Sequence, residues 1–286
     1  MIHTLENEHL RVSVADAGAE LVGVYDKTRN AERLWTGDAA VWNRHAPILF
    51  PFVGRVMDGK YRVGGREYPM PTQHGFARDR VFECVQATGD SVTHRLTADE
   101  GTRAVYPYDF ALTVAHRLEG RRLYVTWTVE NRGQEEMFFS IGGHPGFLPP
   151  AGVKKEDCEI VFPGAQELWY RSVNAAGYAL PEVRELALKD GRAGYQSDIP
   201  DTWIFEDGQV KTVGLAEKGK APFVTLHCEA FPMLAVWANP KGPFICLEPW
   251  FGRTDDVGFA GSIHQKKAVQ RLGAGKKRTI EWDMDF

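Results

Sequence analysis

The sequence predicts an all-β fold of antiparallel strands, and three observations predict it. Apolar and polar residues alternate with period 2 from one end of the chain to the other, the pattern of strands with one buried face. No segment of helical length keeps a clean 3.6-residue period. The 29 Gly and 16 Pro supply many turns, yet stay far from collagen-like or low-complexity proportions.

The elements follow in chain order. The best helical candidate is short, near Asp38 to Trp42. Tyr61-Arg62-Val63 and Glu67-Tyr68 flank Gly64-Gly65, a tight-hairpin signature. Phe110, Leu112, Val114, His116 and Leu118 form one alternating run. Leu123, Val125, Trp127 and Val129 form the next, and Glu119-Gly120-Arg121 turns between them. Val153 to Tyr195 is less regular and reads as long loops. Phe231 to Trp237, Phe244 to Glu248 and Thr279 to Trp282 are further strands, the first two parted by Asn239-Pro240-Lys241-Gly242. No fixed-period repeat and no linker interrupts the chain, so residues 1–286 are expected to form one domain.

Composition narrows the function classes. The 286 residues are 43% hydrophobic and 25% charged, with a net charge of −4. A nucleic-acid binder usually shows a basic excess, so none is expected here. The longest uncharged apolar stretch, Ala46 to Val53, contains two prolines and falls far short of the ~20 residues of a membrane helix. The N-terminus lacks a basic and an apolar region, so no signal peptide is read and a cytoplasmic location is expected. Cys84, Cys158, Cys228 and Cys246 are scattered without C-x-x-C spacing, which argues against a structural zinc site and for reduced thiols. Cys228 and Cys246 lie in apolar contexts and read as core residues.

Several motifs fail on inspection. Gly54 to Lys60 has the spacing of a phosphate-binding loop, but Tyr61 stands where Ser or Thr would hold magnesium, and a hairpin follows instead of a helix. There is no Gly-x-Ser-x-Gly elbow and no His-Glu-x-x-His. Lys266, Lys267, Arg271, Lys276, Lys277 and Arg278 read as a solvated face.

Three stretches remain that set reactive groups among turn residues and aromatics: Gln73-His74-Gly75-Phe76-Ala77-Arg78, Gly142-Gly143-His144-Pro145-Gly146-Phe147 and Leu247-Glu248-Pro249-Trp250-Phe251-Gly252. Together they offer two His, a Glu and an Arg, a kit for general acid–base chemistry on an uncharged polyhydroxy substrate. A lone His in a Gly-rich turn is more often a hydrogen-bonding turn residue than a catalyst. Glu248 shares a face with Phe244 and Cys246, which turns it inward. A buried carboxylate must be paired or functional, and a structural ion pair to Arg55 or Arg253 is the plain alternative. Trp250 reads as a sugar-stacking ring or as core packing.

These stretches, with Pro47 to Arg55, His74 to Asp79 and Asp201-Thr202-Trp203-Ile204-Phe205, resemble the aldose 1-epimerase (mutarotase) family, in particular its short bacterial, lactose-operon-associated branch. They occur in the family's order across about residues 5–286. The resemblance implies an antiparallel β-supersandwich that interconverts the α and β anomers of an aldose hexose, with no metal or organic cofactor. It implies that Glu248 is the general base at the anomeric hydroxyl and His144 the general acid at the ring oxygen. It implies that His74 binds and polarises the sugar, and that Arg55 and Asp201 contact its hydroxyls, Asp198 being a rival to Asp201. A neutral to slightly alkaline optimum follows if Glu248 is ionised and His144 protonated, the latter raised by a nearby carboxylate.

The chain departs from the longer galactose-type members, which carry an Asn-Arg pair where this one has Met57 to Lys60 and His-Pro-Tyr-Phe where it has His144-Pro145-Gly146-Phe147. Arg78 also occurs in the hexose-6-phosphate epimerase branch, which makes a sugar phosphate the alternative substrate. A non-catalytic carbohydrate-binding protein on the same fold is the alternative outside the enzyme class. A glycoside hydrolase would need two opposed carboxylates, and Asp201 looks instead like a hydroxyl-fixing residue. The expected partner is a small-molecule sugar, and the expected assembly a monomer or homodimer.

Overall fold

The computed structural model describes residues 1–195 and 202–286. Two large sheets stack on one core. The nine-stranded sheet runs Arg192–Gly194, Cys158–Val161, Thr212–Glu217, Pro222–His227, Lys277–Asp285, Arg122–Asn131, Phe110–Glu119, Ser91–Thr97 and Glu83–Ala87. The eight-stranded sheet runs Ala179–Leu186, Leu168–Val173, Trp203–Phe205, Met233–Trp237, Ile245–Phe251, Ile141–Gly143 and Ile48–Leu49, and Gly146–Phe147 also pairs with Ile245–Phe251. Four N-terminal strands, Ile2–Glu6, Leu10–Ala15, Leu21–Asp26 and Ala31–Glu32, make a smaller sheet. Neighbouring strands are antiparallel throughout these sheets. Among the described residues no helix is long and apolar enough to cross a membrane.

Local sequence explains the best-read elements. Phe110–Glu119 and Arg122–Asn131 form a hairpin closed at Glu119 and Arg122. Lys60–Val63 and Arg66–Pro69 form another, whose Gly64 and Gly65 both have positive φ, 55° and 76°, as a tight primed turn requires. That hairpin also disposes of the phosphate-loop spacing.

Three expectations are corrected. Asp38 to Trp42 is a single turn, in which the Asp38 carbonyl accepts from Val41 and Trp42; it is too short to persist as a helix. Among the described residues the α-helix instead spans Glu100–Val105, started by a reciprocal cap between Asp99 and Thr102, and its six residues are too few to show a period. Val153 to Tyr195 contains four strands rather than long loops. Ala179–Leu186, at the edge of its sheet, leaves five consecutive positions exposed, so no alternation marks it. Lys266 is also not part of a solvated face: it is buried against Asp255.

The centre of the eight-stranded sheet is apolar on both faces. In Ile245–Phe251, Ile245, Leu247 and Phe251 enter the core between the sheets, while Cys246 and Trp250 enter small clusters on the other face. Met233–Trp237 repeats the pattern, with Leu234 and Val236 inward and Met233 and Ala235 outward. The outward face carries the candidate site.

Candidate active site

Strand register brings His144 and Glu248 together. Gly142 pairs with Trp250 and Gly146 with Cys246, so the intervening His144 falls opposite Glu248. Pro145 has no N–H to give the ladder, and the strand breaks there into Ile141–Gly143 and Gly146–Phe147. On the other side Ala235 faces Glu248 and leaves it room. His144 Nε2 lies 3.2 Å from Glu248 Oε2, with the side chains 10% and 1% exposed.

No guanidinium pairs with Glu248 among the described residues; Arg253 goes to Glu206 and Asp256. Burial pushes the carboxyl well above its ordinary value, opposed only in part by the Trp250 indole N–H. Burial also pushes His144 down to about 3, and the charge of Arg78 adds to the effect. Burial thus lowers the imidazole, the reverse of the raised value expected from sequence. The unliganded pair holds one proton as a neutral acid beside a neutral base. A carboxylate beside an imidazolium has the same proton count, so moving that proton across 3.2 Å arms the pair without exchange with solvent.

His74 occupies a left-handed turn, φ 68°, followed by Gly75 at φ 68°. A Cβ on Gly75 would lie 2.3 Å from the Phe50 carbonyl oxygen, so glycine is required. The Gly54 N–H donates to His74 Nδ1 at 3.0 Å. A neutral His74 therefore carries its proton on Nε2, and burial and nearby positive charges keep it neutral. Its ring meets that of His144 edge-on at 5.6 Å.

Arg78 is half-buried and donates to the Gln73 carbonyl at 2.8 Å; Arg44 donates to the Arg78 carbonyl and pairs with Asp79. Arg55 is exposed, and its side chain lies against Gly177. The charges of Arg55 and Arg78 both oppose protonation of His74. Asp201, and its rival Asp198, lie outside the described residues. Trp250 is 4% exposed and packs among Leu49, Val53, Ile204, Met233 and Ala235. It supports the floor of the site rather than presenting a face for stacking.

Two half-buried tryptophans that sequence does not single out border the site. Trp42 lies 5.0 Å from the His144 ring and Trp237 5.5 Å, and Trp42 stacks on Phe244 at 5.3 Å. Alternation along Met233–Trp237 sets Trp237 on the Glu248 face, but only the strand pairing tells which face that is. Trp42 comes from a turn and carries no local signal.

His144, Cys246 and Glu248 present donor atoms within 4.8 Å of one another. Burial raises the Cys246 thiol as well as the Glu248 carboxyl, so a cation here would have to displace two strongly held protons. His144 also lines a small cavity with His116, Trp127 and Trp282; His144 Nδ1, His116 Nδ1 and both indole nitrogens are buried without protein partners.

The geometry predicts two stability effects. A Cβ at position 142 would lie 2.5 Å from Trp250 Cδ1. Gly142→Ala should therefore destabilise by about 1–3 kcal/mol, read as a lower denaturation midpoint. Burial also holds His74, His116 and His144 below their ordinary value, the last two at about 3. The unfolded chain binds these protons near pH ~6.5. Their contribution is complete above that pH and is lost as pH falls from about 6.5 towards 3. Glu248 acts in the opposite sense, but one carboxyl faces three imidazoles. Thermal unfolding from pH 7 to pH 5 should show a falling Tm; a constant Tm would contradict this burial.

Residues 1–185 match the sequence model of the family described as aldose 1-epimerase. The plasmid-encoded protein LacX of Lactococcus lactis subsp. lactis is 28% identical, the match covering 94% of this chain and 93% of that protein. A crystal structure described as a galactose mutarotase related enzyme, from Lactobacillus acidophilus, superposes with a TM-score of 0.93 at 31% identity, covering 100% of this chain and 97% of that one. A galactose mutarotase-like protein from Lactobacillus casei ATCC 334 superposes at 0.92 and 29% identity, covering 100% and 99% of the two chains. With most of its length matching the family and its whole fold following these neighbours, the chain belongs to the aldose 1-epimerase family.

Proposed function

We propose that this protein is an aldose 1-epimerase that interconverts the α and β anomers of a free aldohexose. The observation that carries the reading is the buried His144–Glu248 pair at 3.2 Å, a base and an acid sharing one proton in a water-poor site. In the armed form Glu248 takes the proton from the C1 hydroxyl. The C1–O1 bond becomes a carbonyl as the bond from C1 to the ring oxygen breaks. His144 gives its proton to that oxygen. Rotation about C1–C2 presents the other carbonyl face, and reclosure returns both protons.

The remaining residues take supporting roles in this proposal. His74 donates from Nε2 to the sugar, Arg55 holds a hydroxyl at the rim, and Trp42 and Trp237 offer apolar surface to the ring's C–H faces; the family resemblance assigns a further hydroxyl to Asp201. The names of the Lactobacillus neighbours support galactose among the substrates to be tried. A second reading, a hexose phosphate, is favoured by one observation: Arg44, Arg55 and Arg78 gather near the site, with Asp79 the carboxylate paired to Arg44 and Arg78. Arg–phosphate contacts are strong and often bidentate.

The test is equilibration of freshly dissolved α-D-glucose, α-D-galactose and α-D-glucose 6-phosphate, followed by polarimetry or proton NMR with and without protein. Acceleration over the uncatalysed rate supports the epimerase, and the fastest substrate decides between free and phosphorylated sugar. Binding without acceleration on any of them would replace the enzyme by a sugar-binding protein.

A further inference from the structure

We propose that His3, Cys84 and His94 form a binding site for one divalent transition-metal ion, with zinc the favoured occupant. The three residues lie on Ile2–Glu6, Glu83–Ala87 and Ser91–Thr97, and their donor atoms all fall within 4.8 Å of one another. Cys84 and His94 are directly opposed across their strand pair. The His3 and His94 rings meet edge-on with centroids 5.2 Å apart.

Asp16 decides which nitrogens are free. One of its carboxylate oxygens contacts His3 Nε2 at 2.7 Å and His94 Nε2 at 3.1 Å. The other faces the N-terminal ammonium at 2.8 Å. A carboxylate between two imidazole nitrogens and an ammonium can only accept. Both imidazoles must therefore donate from Nε2, and when neutral each keeps a lone pair on Nδ1. His94 Nδ1 is buried without a partner. A carboxylate that fixes the imidazole tautomer and leaves the other nitrogen for a metal is the usual support of a metal-binding histidine.

Two imidazoles and a thiolate suit zinc and related borderline-soft cations. Zinc bonds of about 2.0–2.3 Å set neighbouring donors roughly 3.3–3.8 Å apart, which modest side-chain rotation reaches from the present spacing. Cys84 is half-buried, whereas Cys158, Cys228 and Cys246 are buried, and its thiol has only a long contact, 3.6 Å, with the Gln86 carbonyl. The ligands are distant in sequence, so cysteine spacing does not reveal them. The ion would join the first strand of the N-terminal sheet to the edge of the nine-stranded sheet. Because it binds the folded state, it would stabilise the protein by mass action.

The test is titration of metal-free protein with Co²⁺. One equivalent should give the bands of four-coordinate cobalt together with thiolate-to-metal absorption in the near ultraviolet. Both should vanish in Cys84→Ser and persist in Cys246→Ser, which removes the thiol beside Glu248. Zn²⁺ should displace the cobalt and raise Tm in the parent but not in Cys84→Ser. Asp16→Asn should weaken binding by about 10- to 100-fold. Absence of thiolate absorption, or a cobalt spectrum unchanged by Cys84→Ser, overturns the proposal.

Discussion

Glu248→Gln is expected to lower catalysed anomer equilibration by about 10²- to 10⁴-fold, the usual contribution of a positioned base, while sugar binding survives. The amide keeps the shape of the carboxyl and its place opposite Ala235 but cannot take a proton from the C1 hydroxyl. The same substitution should make the protein more stable at neutral pH. A carboxyl raised by burial contributes stability below its unfolded value, about 4.3, and loses it as pH rises towards its folded value. Glutamine has no such loss. Polarimetry with thermal unfolding at pH 5 and pH 8 checks both halves. A variant that is inactive and also less stable at pH 8 would point to a structural carboxyl rather than a base.

His144→Gln is the second large effect, again about 10²- to 10⁴-fold, and it should change the pH profile as well as the rate. In the proposed mechanism the pair works with one proton between its members. On the acid side a second proton occupies Glu248 and removes the base. On the alkaline side the last proton leaves, and no acid remains for the ring oxygen. The parent should therefore show a bell-shaped profile, and His144→Gln should lose the alkaline fall while its residual rate still rises with pH. A bell unchanged in the variant would assign the acid to another group, with His74, 5.6 Å from His144, the first to examine.

Much of this was legible in the residues. Alternation, Gly-Gly and Glu-Gly-Arg turns and the lack of helical period determined an all-β chain, because each is a local property of a strand or a tight turn. The reactive residues of the three turn-rich stretches were legible for the same reason: His74, His144 and Glu248 stand out where polar groups interrupt aromatic and glycine-rich sequence. Tertiary structure decided the rest. That His144 lies opposite Glu248 follows from two strand registers that join segments about a hundred residues apart in sequence. That both are neutral follows from burial on the outer face of a sheet, which alternation cannot distinguish from the core. Trp42 and Trp237 joined the site, and Trp250 went into its floor, through packing between distant segments. His3, Cys84 and His94 converge for the same reason, since only sheet order brings the first strand beside the hairpin of Glu83–Ala87 and Ser91–Thr97. Periodicity is written in neighbours along the chain, whereas burial, protonation and ligand geometry are set by neighbours in space.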